Sequence, residues 1–333
     1  MTDSSESTNG LVAGARDLLR EAVRTSLFFF KIMIPVLIVT KLLQEAGLIE
    51  RCGALLGPVM KLVGLPGGMG LVWATAMITN LYGGMVVFAS LAPQYSLTVA
   101  QSTVLTTMML VAHGLPLELR IAQKAGPRLR FVSVLRVVGA LLLGWLLHQV
   151  YSRAGLLQGP NEPIFKAVSS DPSWLAWARD QLRNLGLIFL IILGLLFLMR
   201  VLKRVGVTDL LTRMLRPVLR VLGMSRDAAP ITIVGMTMGI SYGGALIIQE
   251  AQSGRLSARD VFFSLALMSL CHSLIEDTLL MTALGGHVSG VLLGRLLFAL
   301  VVTALLVKAV GLLPEGAFER YLVRPPGRKN DAG

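Results

Sequence analysis

An internal duplication within an apolar chain does most to limit what this sequence can fold into. The stretch TNLYGGMVVF (79–88) returns as GISYGGALII (239–248), each inside a membrane-length apolar run. Around these anchors GLIERCGALLGPVMKLVGLP (47–66) aligns with GVTDLLTRMLRPVLRVLGMS (206–225), and AHGLPLEL (112–119) with CHSLIEDT (271–278). The offset is 159 from Pro58 to Pro217, 160 from Tyr82 to Tyr242 and 159 from His113 to His272. A near-constant offset over most of both halves marks two copies of one unit.

The composition says what kind of unit. Of 333 residues, 54% are hydrophobic and 15% charged, and the mean hydropathy is +0.70. Such a chain reads as a polytopic helical membrane protein. The formal charge of +12 does not point to nucleic acid, because the basic residues cluster between apolar spans, as in cytoplasmic loops. The acidic start MTDSSESTNG lacks the basic segment of a signal peptide. Cys52 and Cys271 offer neither a disulfide framework nor a CxxC metal motif.

Each half repeats one order of elements. An apolar helix (about 25–44; about 184–202) precedes a basic amphipathic stretch (about 48–63; about 207–222). The Tyr-Gly-Gly segment follows (68–92; 229–250), then an apolar stretch ending in a His motif (about 97–114; about 259–276), then a closing helix (about 131–150; about 291–312). The organisation expected is a first repeat over 1–150, an extracytoplasmic linker over 151–177, a second repeat over 178–313 and a cytoplasmic tail over 314–333.

Loop charges bear on the Tyr-Gly-Gly segments. If each crosses the membrane, the two sides carry 15 and 14 Lys/Arg, with no bias. If each is a re-entrant hairpin whose short helices meet at the glycines, each half has three crossings and the second half is inverted. The inner face then holds 22 Lys/Arg against 7, as the positive-inside rule demands. Ten residues of helix rise about 15 Å, half of a hydrocarbon core about 30 Å thick, so each tip falls near the midplane. The fold expected is an all-α polytopic membrane protein of two inverted repeats. Each repeat has three spanning helices, one re-entrant helical hairpin and one interfacial amphipathic helix. Both termini are expected in the cytoplasm of a bacterium, with the chain in its inner membrane, and a homo-oligomer is expected.

Polar residues converge on the same depth. His113 and His272 occupy equivalent positions, with Glu118 after the first and Glu276 and Asp277 after the second. Ionisable residues at membrane depth suggest function. One reading is a substrate site, in which Asn80, Tyr82, Gly83, Gly84, Ser241, Tyr242, Gly243 and Gly244 at the tips join the two histidines. A second is coupling to H⁺ or Na⁺ through Glu276, Asp277 and Glu118. A third is a transition-metal site of His113, His272, Cys271 and carboxylates. No cofactor is implied, and no serine, histidine and aspartate spacing resembles a hydrolase triad, so an enzyme is not expected.

These motifs, over roughly residues 15–150 and 178–312, resemble the Gate or "nucleoside recognition" superfamily. It includes concentrative nucleoside transporters, the membrane part of ferrous-iron permeases and spore-maturation membrane proteins. The resemblance implies two re-entrant hairpins and two interrupted helices around a substrate site. The hairpin tips would be Asn80–Gly84 and Ser241–Gly244, and the interrupted helices those of His113 and His272. The sequence departs in lacking a Gln-Thr-Glu tip and a GxxxxGK[ST] motif, and so resembles a stand-alone member. The function expected is secondary transport of a small polar solute by alternating access. The alternatives are a divalent-metal permease and a non-transporting assembly or interaction protein in the membrane.

Overall fold

A computed structural model describes residues 3–162, 164 and 173–323. Every extended element among them is a helix. The first half contains α1 (Asp3–Glu45), α2 (Leu48–Leu62), α3 (Met69–Ile78), α4 (Leu81–Leu91), α5 (Val99–Val111), α6 (Leu115–Ala125) and α7 (Leu129–Arg153). The second contains α8 (Trp174–Arg204), α9 (Val207–Val221), α10 (Ala228–Met238), α11 (Ile240–Gln252), α12 (Ala258–Leu270), α13 (Glu276–Thr282) and α14 (Arg295–Gly311). A π-helical turn (Ser289–Gly294) leads into α14, and α15 (Glu315–Tyr321) ends the described chain.

Among the described residues, five segments are long and apolar enough to cross a membrane: Gly14–Glu45, Val99–Ala125, Leu129–Arg153, Trp174–Arg204 and Ser289–Gly311. The sequence suggests six. The remaining one is divided into α12 and α13 by a break at Cys271–Ile275, and neither piece alone has spanning length. Large apolar side chains on α1, α8 and α14, such as Phe28, Ile38, Leu190, Phe197, Leu297 and Leu305, stay exposed, the surface that hydrocarbon covers in a membrane protein. The amphipathic α2 and α9 also expose apolar residues, among them Leu55, Leu62, Met214 and Val221.

Both Tyr-Gly-Gly segments fold back on themselves. Gly84 of α4 lies against Ala76 of α3, eight residues earlier, and Gly243 of α11 lies against Gly235 of α10. In one continuous helix, eight residues rise about 12 Å, so these contacts define antiparallel pairs. The bends do not fall on the glycine pairs, as the sequence suggests. They fall at Thr79–Asn80 and at Gly239 (φ 97°, ψ 160°). Extended Asn80 (φ −168°) caps α4 by accepting from the Gly83 amide at 2.9 Å, which meets an otherwise orphaned donor. The glycines sit in the first turn of the returning helix. There they remove side-chain bulk so that two backbones can approach: a Cβ at Gly243 would strike the Gly235 backbone.

Contacts gather the helix ends into two groups. At one end Gln101 bonds the Gly64 carbonyl (3.0 Å), and Asn161 bonds the carbonyls of Leu97 (2.8 Å) and Leu284 (3.0 Å). At the other, Arg200 pairs with Glu21 (2.6 Å), the Ser225 amide with Asp260 (3.0 Å), and Arg259 with Glu315 (2.8 Å). The base of the α3–α4 hairpin belongs to the first group and that of α10–α11 to the second. The expected tail is in part a docked helix: Phe318 is fully buried and packs edge-on against Phe262 at 5.5 Å. Of the expected linker, residues 163 and 165–172 lie outside the described residues, as do residues 324–333 of the tail.

Candidate functional site

Two helices are interrupted, and each interruption carries a histidine. Helix α5 ends at Val111, and the chain runs through Ala112 and His113 to Gly114 (φ 55°) before α6 begins. Helix α12 ends at Leu270, and the chain runs from Cys271 to Ile275 before α13. Ser273, one repeat offset after Gly114, also takes a positive φ of 47°, which is uncommon for a non-glycine residue.

Breaks in a buried helix leave backbone groups without partners, and these must be met within the protein. The two halves meet them alike. Each hairpin tip supplies one acceptor: the Gly114 amide donates to the Ala76 carbonyl (2.9 Å), and the Leu274 amide to the Met236 carbonyl (2.8 Å). A buried arginine supplies a donor in each half. Arg136 Nε donates to the Val111 carbonyl (2.9 Å), and an Arg295 guanidinium nitrogen to the His272 carbonyl. Both cations lie at the C-terminal ends of interrupted helices, where the helix dipole favours positive charge.

The tips and breaks therefore hold a doubled set of ionisable residues. His113, Glu118 and Arg136 stand 159 residues before His272, Asp277 and Arg295. All six are buried, the two arginines completely. The histidine rings meet across the repeats, with Nε2 atoms 3.3 Å apart. Glu118 Oε1 is 3.2 Å from His113 Nε2 and 3.7 Å from His272 Nε2, while its other oxygen holds Arg136 at 2.5 Å. Asp277 Oδ2 stands 3.9 Å from His272 Nε2. Arg136 Nη2, Arg295 Nε and Nη1, and Asp277 Oδ2 are buried with no hydrogen-bond partner. Buried polar atoms in that state call for a partner such as a water, an ion or a ligand group.

The other residues singled out in the sequence divide. Asn80 is a helix cap at the first tip. Tyr82 is buried, stacks on Phe29 at 4.1 Å and lies within electrostatic range of Glu276 and Asp277. Gly83, Gly84 and Gly243 serve the hairpin contacts, and Gly244 is buried in α11. Ser241 and Tyr242 lie in the first turn of α11, but their side chains are outside the described residues. Cys271 is buried yet stands apart from the group of His113, His272 and Asp277. Glu276 sits at the start of α13, and its repeat counterpart is Leu117.

Sequence reading missed the two arginines. By sequence Arg136 closes the basic stretch 116–136 and Arg295 stands at the edge of an apolar run. Leaving Arg136 out lowers the inner charge count by one and keeps the asymmetry. The 159-residue offset joining them was the available signal. A separate cavity of about 100 Å³, lined by Gly64, Gln101, His148 and Tyr151 among others, lies at the end of α7, away from the paired histidines.

Apolar helices of spanning length around a buried polar centre define a polytopic membrane protein. The Gate family model, described as nucleoside recognition, matches residues 26–128 and 185–286, one copy in each half. The chain belongs to the Gate nucleoside-recognition family. It is also similar to the uncharacterized membrane protein YvoD of Bacillus subtilis (strain 168), at 28% identity over 282 residues, covering 82% of this chain and 87% of that protein. No solved structure matches.

Proposed function

We propose that this chain is a secondary transporter of a small polar solute, working by alternating access around two hairpin tips at mid-membrane. The observation that carries the reading is the paired docking of tips on helix breaks, through the Gly114–Ala76 and Leu274–Met236 bonds. These surround buried polar atoms without partners. Broken helices that meet at the midplane at the interface of two repeats are the usual construction of a transporter binding site.

In this reading the halves are inverted repeats and the hairpins are re-entrant. The chain lies in a bacterial inner membrane with both termini cytoplasmic. Support comes from the two groups of helix ends, with one hairpin base in each, and from the excess of Lys/Arg in the loops of the second group. The solute meets His113 and His272 and the free guanidinium donors of Arg295, with Tyr82 at one side. Asn80 shapes the tip through its cap. Coupling to H⁺ or Na⁺ belongs to the same proposal and is tested with Glu276→Gln: uptake with unchanged dependence on pH and Na⁺ removes Glu276 from that role.

The purified protein should be screened for thermal stabilisation by nucleosides, organic acids and amino acids. A ligand at 100 times its Kd contributes about 2.7 kcal/mol. Compounds that stabilise should then be taken up by proteoliposomes. If nothing stabilises the protein and nothing is taken up, the transport reading gives way to a non-transporting membrane partner.

A further inference from the structure

The paired histidines present an arrangement that nothing in the protein completes. Each Nδ1 faces the carbonyl of the residue four positions earlier, His113 to Met109 at 3.0 Å and His272 to Met268 at 2.8 Å. A carbonyl only accepts, so each Nδ1 carries the ring hydrogen and each neutral ring turns a bare Nε2 lone pair outward. Those lone pairs face each other at 3.3 Å, with Glu118 Oε1 at 3.2 Å from one and 3.7 Å from the other. Asp277 Oδ2, otherwise unpartnered, stands 3.9 Å from His272 Nε2. His113, His272 and Asp277 thus bring one ligand atom each within 4.8 Å of one another, and Glu118 stands beside the two histidines.

We infer that His113, His272 and Asp277, with Glu118 beside the histidines as a further oxygen ligand, form a binding site for one divalent transition-metal ion. A metal–ligand bond of about 2.0–2.1 Å in tetrahedral geometry sets neighbouring ligand atoms about 3.3 Å apart. The histidine and Glu118 atoms lie at 3.2–3.7 Å from one another and Asp277 Oδ2 at 3.9 Å from His272 Nε2, near that spacing. A single proton joins only two acceptors and leaves the others facing each other. Calcium and magnesium prefer all-oxygen shells, whereas two imidazoles with carboxylates suit first-row transition ions. The outer partners are of the kind metal sites use: each Nδ1–H is held by a backbone carbonyl, and Arg136 fixes the second oxygen of Glu118.

This site keeps the histidines and carboxylates anticipated in the sequence and leaves out Cys271. The inference rests on the transport reading only in naming an ion for the same centre. Binding itself requires no transport.

The test uses the full-length protein in detergent, stripped with a chelator and titrated with Zn²⁺ by calorimetry and with Co²⁺ by visible absorption. One ion per chain is expected, with Co²⁺ bands typical of nitrogen and oxygen ligands and no thiolate charge-transfer band. His113→Ala/His272→Ala should weaken binding more than about 100-fold, and Cys271→Ala should leave it unchanged. Asp277→Asn, a near-isosteric change, gives a second reading should the histidine variant fail to fold, with an expected loss of about 10-fold or more. Absence of stoichiometric binding in the wild type overturns the site. So does binding unchanged in whichever of these variants fold. Solute uptake without metal binding removes the metal site alone, and metal binding without any uptake removes the transport reading alone.

Discussion

The two copies of the central motif differ in closure. In the first, Glu118 pairs with Arg136 at 2.5 Å and stands 3.2 Å from His113. In the second, the acid is Asp277, one methylene shorter. It stays 3.9 Å from His272, and its Oδ2 and two Arg295 nitrogens lack partners. The first copy thus holds its acid against its arginine, and the second leaves Asp277 Oδ2 without a hydrogen-bond partner. Duplication supplied a histidine, an acid and an arginine twice, and the acid is one methylene shorter in the second copy.

The largest effect expected from breaking this comparison is on the closed copy. Arg136→Ala strands the buried Glu118 charge and should cost about 3–5 kcal/mol of stability. Arg295→Ala, which leaves only the His272 carbonyl without its donor, should cost about 1–3 kcal/mol. Thermal unfolding in one detergent ranks the two, and equal losses would mean that the copies are equivalent. Next comes hairpin packing. Gly243→Val forces a side chain into the Gly235 backbone and should cost about 1–3 kcal/mol, whereas Gly14→Ala, with open space around it, should cost nothing measurable. Lengthening the open acid sharpens the contrast further. Asp277→Glu should close on Arg295 as Glu118 closes on Arg136, cutting sub-saturating solute uptake about tenfold, equivalent to about 1.4 kcal/mol, with no loss of melting temperature. Uptake at the wild-type rate would show that the gap is not used. The smallest effect is at the tip: Asn80→Ala removes the α4 cap, worth about 1 kcal/mol, and Asn80→Asp should restore it in the same unfolding assay.

Much of this was legible in the sequence because duplication and period are read directly from residues. The break at His113 follows from Gly114 and Pro116, which oppose a continued helix, whereas His272 has no glycine or proline beside it and its break was implied only by the family resemblance. The fold-back was signalled by loop charge. The position of the bend was not, since Gly83 and Gly84 suit a turn and a close helix contact equally well, and only packing against Ala76 decides between them. Arg136 and Arg295 were hidden for a related reason. Near the start of an apolar helix an arginine looks interfacial, and its depth becomes clear only when a broken neighbour presents its carbonyl. The docking of α15 through Phe318 is likewise a tertiary fact, carried by one aromatic in a polar stretch.

The central claim is that the halves enter the membrane from opposite sides and present their hairpin tips to one centre. Single cysteines at Gln94 and Ser253, both exposed beyond the hairpins, test it in a Cys52→Ser/Cys271→Ala background. A membrane-impermeant maleimide should label position 94 in intact cells and position 253 only in inverted vesicles. Labelling of both positions from the same side would contradict the account.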